Sequence, residues 1–308
     1  MRTIAILNPA ADSGSAGKKR RALEAALRAA GVTDELWLTQ GPGHAVELAR
    51  RAAAEADVVL AVGGDGTIHE VSQGLIESEH DAHLGVIPLG TGNDFVKMIG
   101  MPLQPEQAVR LLAAAQPKAI DYGLVRWVEE GRNGRQSFIN AVGIGFDAMA
   151  ASHAIALKFL PGITGYLAAV LRTLRHWDGP QVRILGVESI NGSASLLYEG
   201  PLLLVTAGNG VSSGGMFYLT PHASITDGLL DVCIVEHAGP WRILRVIPQA
   251  IKGRHEMAQE VHTHRVHTLT IAANTGLPIH ADGEILAQKA REIDIEVISG
   301  GLSVLTTV

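Results

Sequence analysis

Thr3-Ile4-Ala5-Ile6-Leu7 is an unbroken apolar run that stops at Asn8-Pro9. A strand covered on both faces reads this way, whereas a half-buried strand alternates. After a loop over residues 10–17, Leu23, Ala26, Leu27 and Ala30 recur at helical spacing. Glu35-Leu36-Trp37-Leu38-Thr39 predicts a second strand, and Gly41-Pro42-Gly43 breaks it before a helix running from His44 to Ala54. Val58–Val62 and Leu84–Pro88 give the third and fourth strands. Strands alternating with helices at this rhythm predict a three-layer α/β domain with a parallel sheet.

Beyond Pro117 the rhythm changes. Segments 121–127, 136–143, 181–188, 201–207, 229–235 and 266–272 read as strands with turns between most of them, interrupted by one helical stretch over 150–176. Such a run predicts a mainly antiparallel β-sandwich domain. The expected fold class is therefore α/β with two domains. Residues 1–120 form the first and 121–299 the second, and the β-prone tail 300–308 is able to return to the first.

Composition narrows the possibilities. A chain of 308 residues has room for two cores, since single domains run to roughly 100–200 residues. Hydrophobic content of 47% with 18% charged residues describes a folded globular protein, and with only 4% aromatics the aliphatic side chains must fill its cores. The net charge of −6 argues against a nucleic-acid binder. Cys233 stands alone in an apolar run, which excludes an internal disulfide and predicts a buried, inert thiol suited to a reducing compartment. The N-terminus enters a strand directly, without the regions of a signal peptide. His153, Lys158, Pro161, Gly162 and Gly165 interrupt the longest apolar stretch, so membrane contact is expected to be peripheral.

Two glycine loops carry the strongest chemical signal. Gly63-Gly64-Asp65-Gly66-Thr67 follows the third strand and opens a helix, and Gly90-Thr91-Gly92-Asn93-Asp94 follows the fourth. Glycines let backbone approach an anion, and helix-start N–H groups point at phosphate oxygens. Asp65 repels phosphate, so it implies a cation, a hydrogen-bonding scaffold, or simply an N-cap of its helix. Downstream, Thr226-Asp227-Gly228 and Asp282-Gly283-Glu284 each make an ordinary turn when taken alone.

In this order and spacing, the runs GGDGT, PLGTGNDF, TDG and DGE resemble the diacylglycerol kinase catalytic family, most nearly its soluble bacterial lipid kinases. The resemblance extends from Asn8-Pro9 to Glu284. It implies a nucleotide-binding first domain of the NAD kinase/diacylglycerol kinase type and a lipid-substrate second domain. ATP is implied as co-substrate, held by Asn8, Thr39, Gly63, Gly64, Asp65, Gly66, Thr67 and Thr91. Asp65, Asp94 and Asp121 match acidic positions around a catalytic Mg²⁺, while Ser224, Asp227 and Leu229 match a second metal site, the Ser and Leu through main-chain carbonyls. Asp282 and Glu284 stand at the catalytic end, with Glu284 as the base that activates the lipid hydroxyl. The implied reaction moves the γ-phosphoryl group of ATP to a membrane lipid, most simply diacylglycerol. The expected location is cytoplasmic, at the inner face of the membrane.

Two rivals stay open. GGDG also marks NAD kinases and other small-molecule kinases, though PLGTGNDF and DGE favour a lipid. A catalytically silent nucleotide- or lipid-binding regulator would be expected to lack Asp65, Asp94, Asp227 and Glu284. His69 departs from the Asn common in relatives, and the Walker lysine pattern is absent. Lys18-Lys19-Arg20-Arg21 opposes the dipole of the first helix and reads as a solvated face or an anion contact. His262, His264 and His267 do not share one strand face, which argues against zinc. Ala150–Trp177 has two readings of equal standing, membrane docking with Leu160 and Trp177 as contacts, and packing between sheet and solvent.

Overall fold

Ile4, Ala5, Ile6 and Leu7 are completely buried, as their unbroken apolar run requires. In the computed structural model they belong to β1 (Thr3–Leu7), which pairs in parallel with β2 (Leu36–Leu38) and β3 (Val58–Gly63). β4 (His83–Pro88) lies parallel to β3, and the chain's last strand joins beyond it, with Val304 beside Leu84. The helices of this region are α1 (Ser15–Ala29), α2 (His44–Ala53), α3 (Asp65–Ile76), α4 (Asp94–Met98) and α5 (Pro105–Leu112). The structure describes residues 1–11, 14–33, 35–150, 173–190, 192–212, 214 and 217–306. The chain divides into two compact units, Met1–Tyr122 with Ser299–Val308, and Gly123–Ile298.

In the first unit, α1 buries Leu23 and Leu27 on its predicted stripe. Arg20 pairs with Glu24 at 2.7 Å one turn on, while the side chains of Lys18 and Lys19 lie outside the described residues. Helices α2 and α3 pack closely because Gly74 has no side chain: a Cβ there would stand 2.4 Å from the Val46 carbonyl oxygen. Glu70 on α3 accepts hydrogen bonds from the N–H groups of Gly43 and Ala45, both at 3.0 Å. Its charge thereby meets the start of α2, the favourable end of that dipole.

The second unit is built from antiparallel pairs. Its strands are β5 (Gln116–Glu129), which begins in the first unit, β6 (Arg132–Phe138), β7 (Ala141–Gly145), β8 (Gln181–Val187) and β9 (Ser195–Gly208). They continue with β10 (Leu230–Glu236), β11 (Val261–Val266), β12 (Thr268–Ala281) and β13 (Glu284–Thr306), whose end returns to the first unit. Both β9 and β12 pair with β7 and with β8, closing a four-strand circuit. Helix α6 (Pro240–Ile251) precedes β11. Cys233 lies on β10 in the core, where burial pushes its thiol up to about 12.

Several elements differ from the sequence reading. The segment 136–143, expected as one strand, is two, broken at residues 139 and 140, whose N–H groups donate to the Asp282 carboxylate. No continuous apolar run marks the length of β13. Its core stretch alternates, with Ile293, Ile295 and Val297 buried and the acidic residues between them outward. Helices α5 and α6 were not expected, whereas β11 is the strand on which His262 and His264 were read. Most of the helical stretch assigned to membrane docking, including Leu160, lies outside the described residues. Trp177, its other assigned contact, is 7% exposed, and its indole N–H donates to the Leu202 carbonyl at 2.8 Å. Trp177 is a core residue, so the packing alternative holds for it.

Gly74→Ala tests the α2–α3 contact. Helix propensity favours alanine by about 1 kcal/mol, but overpacking costs roughly 1–3 kcal/mol. A net loss is expected in urea denaturation, and a variant as stable as the parent would contradict the close approach.

Candidate active site

Asn8, Thr39, Gly63–Thr67 and Gly90–Asp94 each follow the carboxyl end of a parallel strand, β1 to β4 in turn. Open α/β sheets bind their ligands at such ends. The residues also fit one another. The Asn8 amide donates to the Thr67 hydroxyl at 3.2 Å, and Thr67 occupies space that a Cβ on Gly63 would need, 2.4 Å from its Oγ1. Thr39 is buried, its N–H bonded to the Leu7 carbonyl at 3.0 Å. The two glycine loops touch: a Cβ on Gly90 would stand 2.6 Å from the Gly64 Cα. Thr91 and Gly66 are exposed, and nothing lies within 4 Å of where a Gly66 Cβ would be.

Asp65 does not cap its own helix through its side chain. Its carboxylate accepts from the N–H groups of Asn93 at 2.7 Å and Asp94 at 2.8 Å, tying the first loop to the second at the start of α4. Asn93 adopts a left-handed backbone there (φ 52). Burial, and then the charge of Asp94, raise the Asp65 pKa, against the lowering effect of these backbone donors. That cost to the charged form is present at neutral pH and vanishes as pH falls through the raised value. Two crowded carboxylates suit a hard divalent cation. Lys97 Nζ, 3.6 Å from Asp94, offsets only part of the charge. Asp121 is buried on β5, where its carboxylate accepts from the Gly300 N–H at 2.8 Å.

In the second unit, Asp282 and Gly283 form the two-residue turn between β12 and β13, with φ of 48 and 90. Asp-Gly suits a turn with both residues at positive φ. The Asp282 carboxylate accepts three backbone N–H bonds, from Ile139 (2.8 Å), Asn140 (3.0 Å) and Ala141 (2.9 Å), and so fixes the hairpin tip to the start of β7. Glu284 is exposed at the first position of β13. It pairs with Ala281, while His280 pairs with Ile285, so Glu284 and His280 stand on opposite faces of the hairpin. Gly283 also lines an apolar cavity of about 190 Å³, whose walls include Phe146, Leu203, Val235, Ile243 and Ile247.

Ser224, Asp227 and Leu229 lie together in one turn. Asp227 accepts from the Leu229 N–H at 3.1 Å and pairs with the Arg265 guanidinium. A cation is therefore already against Asp227, and a metal there would have to displace it. Among the described residues no group of three or more His, Cys, Asp or Glu is arranged to hold a metal. His262 instead meets Glu236 at 2.7 Å.

The family described as diacylglycerol kinase catalytic domain matches residues 2–125, and the YegS C-terminal NAD kinase beta sandwich-like domain matches 140–306. The chain belongs to the diacylglycerol kinase and YegS-like family of lipid kinases. A Pseudomonas aeruginosa (strain UCBPP-PA14) protein named "Probable lipid kinase YegS-like" is 33% identical over 287 residues, 92% of this chain and 88% of that one. A Mycobacterium tuberculosis (strain ATCC 25618 / H37Rv) protein named diacylglycerol kinase is 29% identical over 296 residues, 95% of this chain and 91% of its own length. Two crystal structures show the same two-part fold. A diacylglycerol kinase from Bacillus anthracis str. Sterne has a TM-score of 0.70 at 22% identity, covering 99% of this chain and 97% of the other. Yeast NADH kinase has 0.59 at 10% identity, covering 100% and 84%.

This lipid kinase also has polar groups that the sequence did not single out. His280 and Asp147 meet at 3.3 Å beside the cavity, and His255 lines it as well. His280 sits two positions before Asp282, but one histidine in a strand carries no signal until the cavity is seen.

Asp282→Asn keeps the left-handed turn, which Asn tolerates, but loses the charge on three hydrogen bonds. A loss of about 2 kcal/mol is expected, read as a lower urea midpoint with unchanged slope. An unchanged midpoint would contradict the clamp.

Proposed function

We propose that this lipid kinase transfers the γ-phosphoryl group of ATP to the hydroxyl of a membrane lipid, with diacylglycerol giving phosphatidic acid. The observation that carries the acceptor is the apolar cavity bordered by Gly283, next in sequence to Glu284. Aliphatic and aromatic walls suit acyl chains, as ligand sites are mostly apolar with few polar groups. They do not suit the polar acceptor ribose of NAD, and fold likeness to an NADH kinase at 10% identity names no substrate. A silent regulator would not need to keep Asp65, Asp94, Asp227 and Glu284.

Asn8, Thr39, the Gly63–Thr67 loop and Thr91 would hold the ATP. The N–H groups opening α3 face a phosphate with the favourable end of the helix dipole. Gly66 supports this, because nothing in the protein itself would crowd a side chain at that position. Asp65 and Asp94 would hold Mg²⁺, with Asp121 supporting them. When bound, the ion neutralises charge on the phosphoryl group being transferred. Arg265 leaves the Ser224, Asp227 and Leu229 turn less ready for a second ion.

Glu284 would orient the lipid hydroxyl and accept its proton as the oxygen attacks phosphorus and ADP departs. The lipid's polar end would pass the hairpin tip at Gly283, where no side chain stands in the way. Asp282 would serve the chemistry by holding that tip. Access to such a substrate fits peripheral contact with the inner face of the membrane from the cytoplasm. Among the described residues no helix is long and apolar enough to cross it.

Incubation with γ-labelled ATP, Mg²⁺ and either dioleoylglycerol vesicles or NAD tests the reading. Label is expected in the lipid, and Glu284→Gln should cut kcat by about 100-fold or more. Label in NAD alone would overturn the proposal; a fully active Glu284→Gln would overturn the base.

A further inference from the structure

Helix α6 shows different chemistry on its two sides. Ile243, Val246, Ile247 and Ala250 recur at helical spacing and line the apolar cavity. Trp241, Arg245 and Pro248 recur at the same spacing on the opposite side, with Lys252 one turn further on, just past the helix end. All four are exposed. Trp241 is 80% exposed, and Met257, in the short turn (His255–Met257) that packs on α6, is 91% exposed. They are the two most exposed large apolar side chains among the described residues.

The charges of this segment have one sign. Residues 240–254 hold Arg242, Arg245, Lys252 and Arg254 and no Asp or Glu, in a chain of net charge −6. Arg242 meets Glu260 at 3.3 Å, and the nearby Glu256 meets His222 at 3.4 Å. Arg245, Lys252 and Arg254 are exposed and form no ion pair among the described residues. The helix end is pinned, because the N–H groups of Tyr218 and Arg254 donate to the carbonyls of Ala250 (3.0 Å) and Gln249 (2.9 Å). A folded element therefore presents this face. A tryptophan among unpaired cations suits a bilayer boundary, where indole rings sit at headgroup level and Lys and Arg meet anionic lipids. A soluble anion would satisfy the cations and leave Trp241 and Met257 in water.

We infer that the outward face of α6 is the surface by which this kinase docks on an anionic phospholipid membrane. Trp241 lies at headgroup level, with Arg245, Lys252 and Arg254 against lipid phosphates. The inference rests on the lipid-kinase reading and names the place of the membrane contact which that reading uses. A helix with its side chains is about 10–12 Å across, so a lipid leaving the bilayer beside α6 has roughly that distance to cross to the cavity on the inner side.

The test mixes the full-length protein with phosphatidylcholine vesicles, with and without phosphatidylglycerol, and reads bound protein by co-sedimentation. Binding should require phosphatidylglycerol and weaken as salt is raised. Each basic side chain at such a surface changes binding about fivefold, so Arg245→Gln combined with Lys252→Gln should weaken it about 25-fold. Brominated lipid in the vesicles should quench tryptophan emission of the parent, and Trp241→Phe should remove that quenching. Urea midpoints equal to the parent's show that the variants fold. With dioctanoylglycerol dissolved without vesicles, the double variant should match the parent's rate; with vesicle-borne dioleoylglycerol it should be slower. No binding to phosphatidylglycerol vesicles, equal binding by parent and double variant, or quenching that survives Trp241→Phe overturns the inference and leaves the kinase reading standing. A parent dimer that Trp241→Ser dissociates assigns the face to a second copy of the chain and overturns it too. Vesicle binding that depends on α6, with neither diacylglycerol phosphorylated, supports the docking surface and sinks the kinase reading.

Discussion

The carboxylate of Asp65 is the interaction on which the first unit's chemistry depends. By accepting from the N–H groups of Asn93 and Asp94, it makes one surface of two loops that follow separate strands. The close approach of Gly64 and Gly90 is what allows those bonds to be short. The same carboxylate is crowded by Asp94 and raised in pKa by burial and by that charge. A group that holds the loops together thus also creates a local excess of negative charge, which the cation proposed to bind with nucleotide would relieve. Scaffold and cation site, which the sequence posed as alternatives for Asp65, are compatible roles of one side chain.

Asp282 plays a related part in the second unit. Its three backbone bonds fix the hairpin tip, with Gly283 in the cavity wall and Glu284 just beyond. A hairpin tip would fray if held by its turn alone, and the bonds to residues 139–141 stop that. In both units an aspartate of a short motif is spent on backbone N–H groups. The neighbouring residues, Gly66 in one case and Glu284 in the other, are left exposed.

Much of this was legible in the sequence, for physical reasons. Apolar runs such as Thr3–Leu7 and Val58–Val62, short and bounded by turn residues, read as strands buried on both faces, and the glycine loops stand out because few other residues permit that backbone. The family and the α/β plus β-sandwich class followed from those runs and their order. Alternating strands with charged outer faces, as in β13, were harder to see. The His280–Asp147 pair was hidden because it joins residues far apart in the chain, across β7 and β12. The role of Arg265 was hidden likewise: nothing near Asp227 in sequence announces a guanidinium. The place of Trp177 stayed open in the sequence because an amphipathic stretch looks the same whether it faces lipid or the protein's own core.

The central claim is that the Gly63–Thr67 loop holds nucleotide phosphates, and Gly66 isolates it. The fold places nothing within 4 Å of a Cβ at this position, and alanine is the better helix former by about 1 kcal/mol. Titration calorimetry of ATP with Mg²⁺ into Gly66→Ala, alongside its unfolding curve, is therefore the most direct measurement. The account predicts a protein at least as stable as the parent that binds ATP about tenfold or more weakly. Unchanged ATP affinity in a stable variant would contradict it.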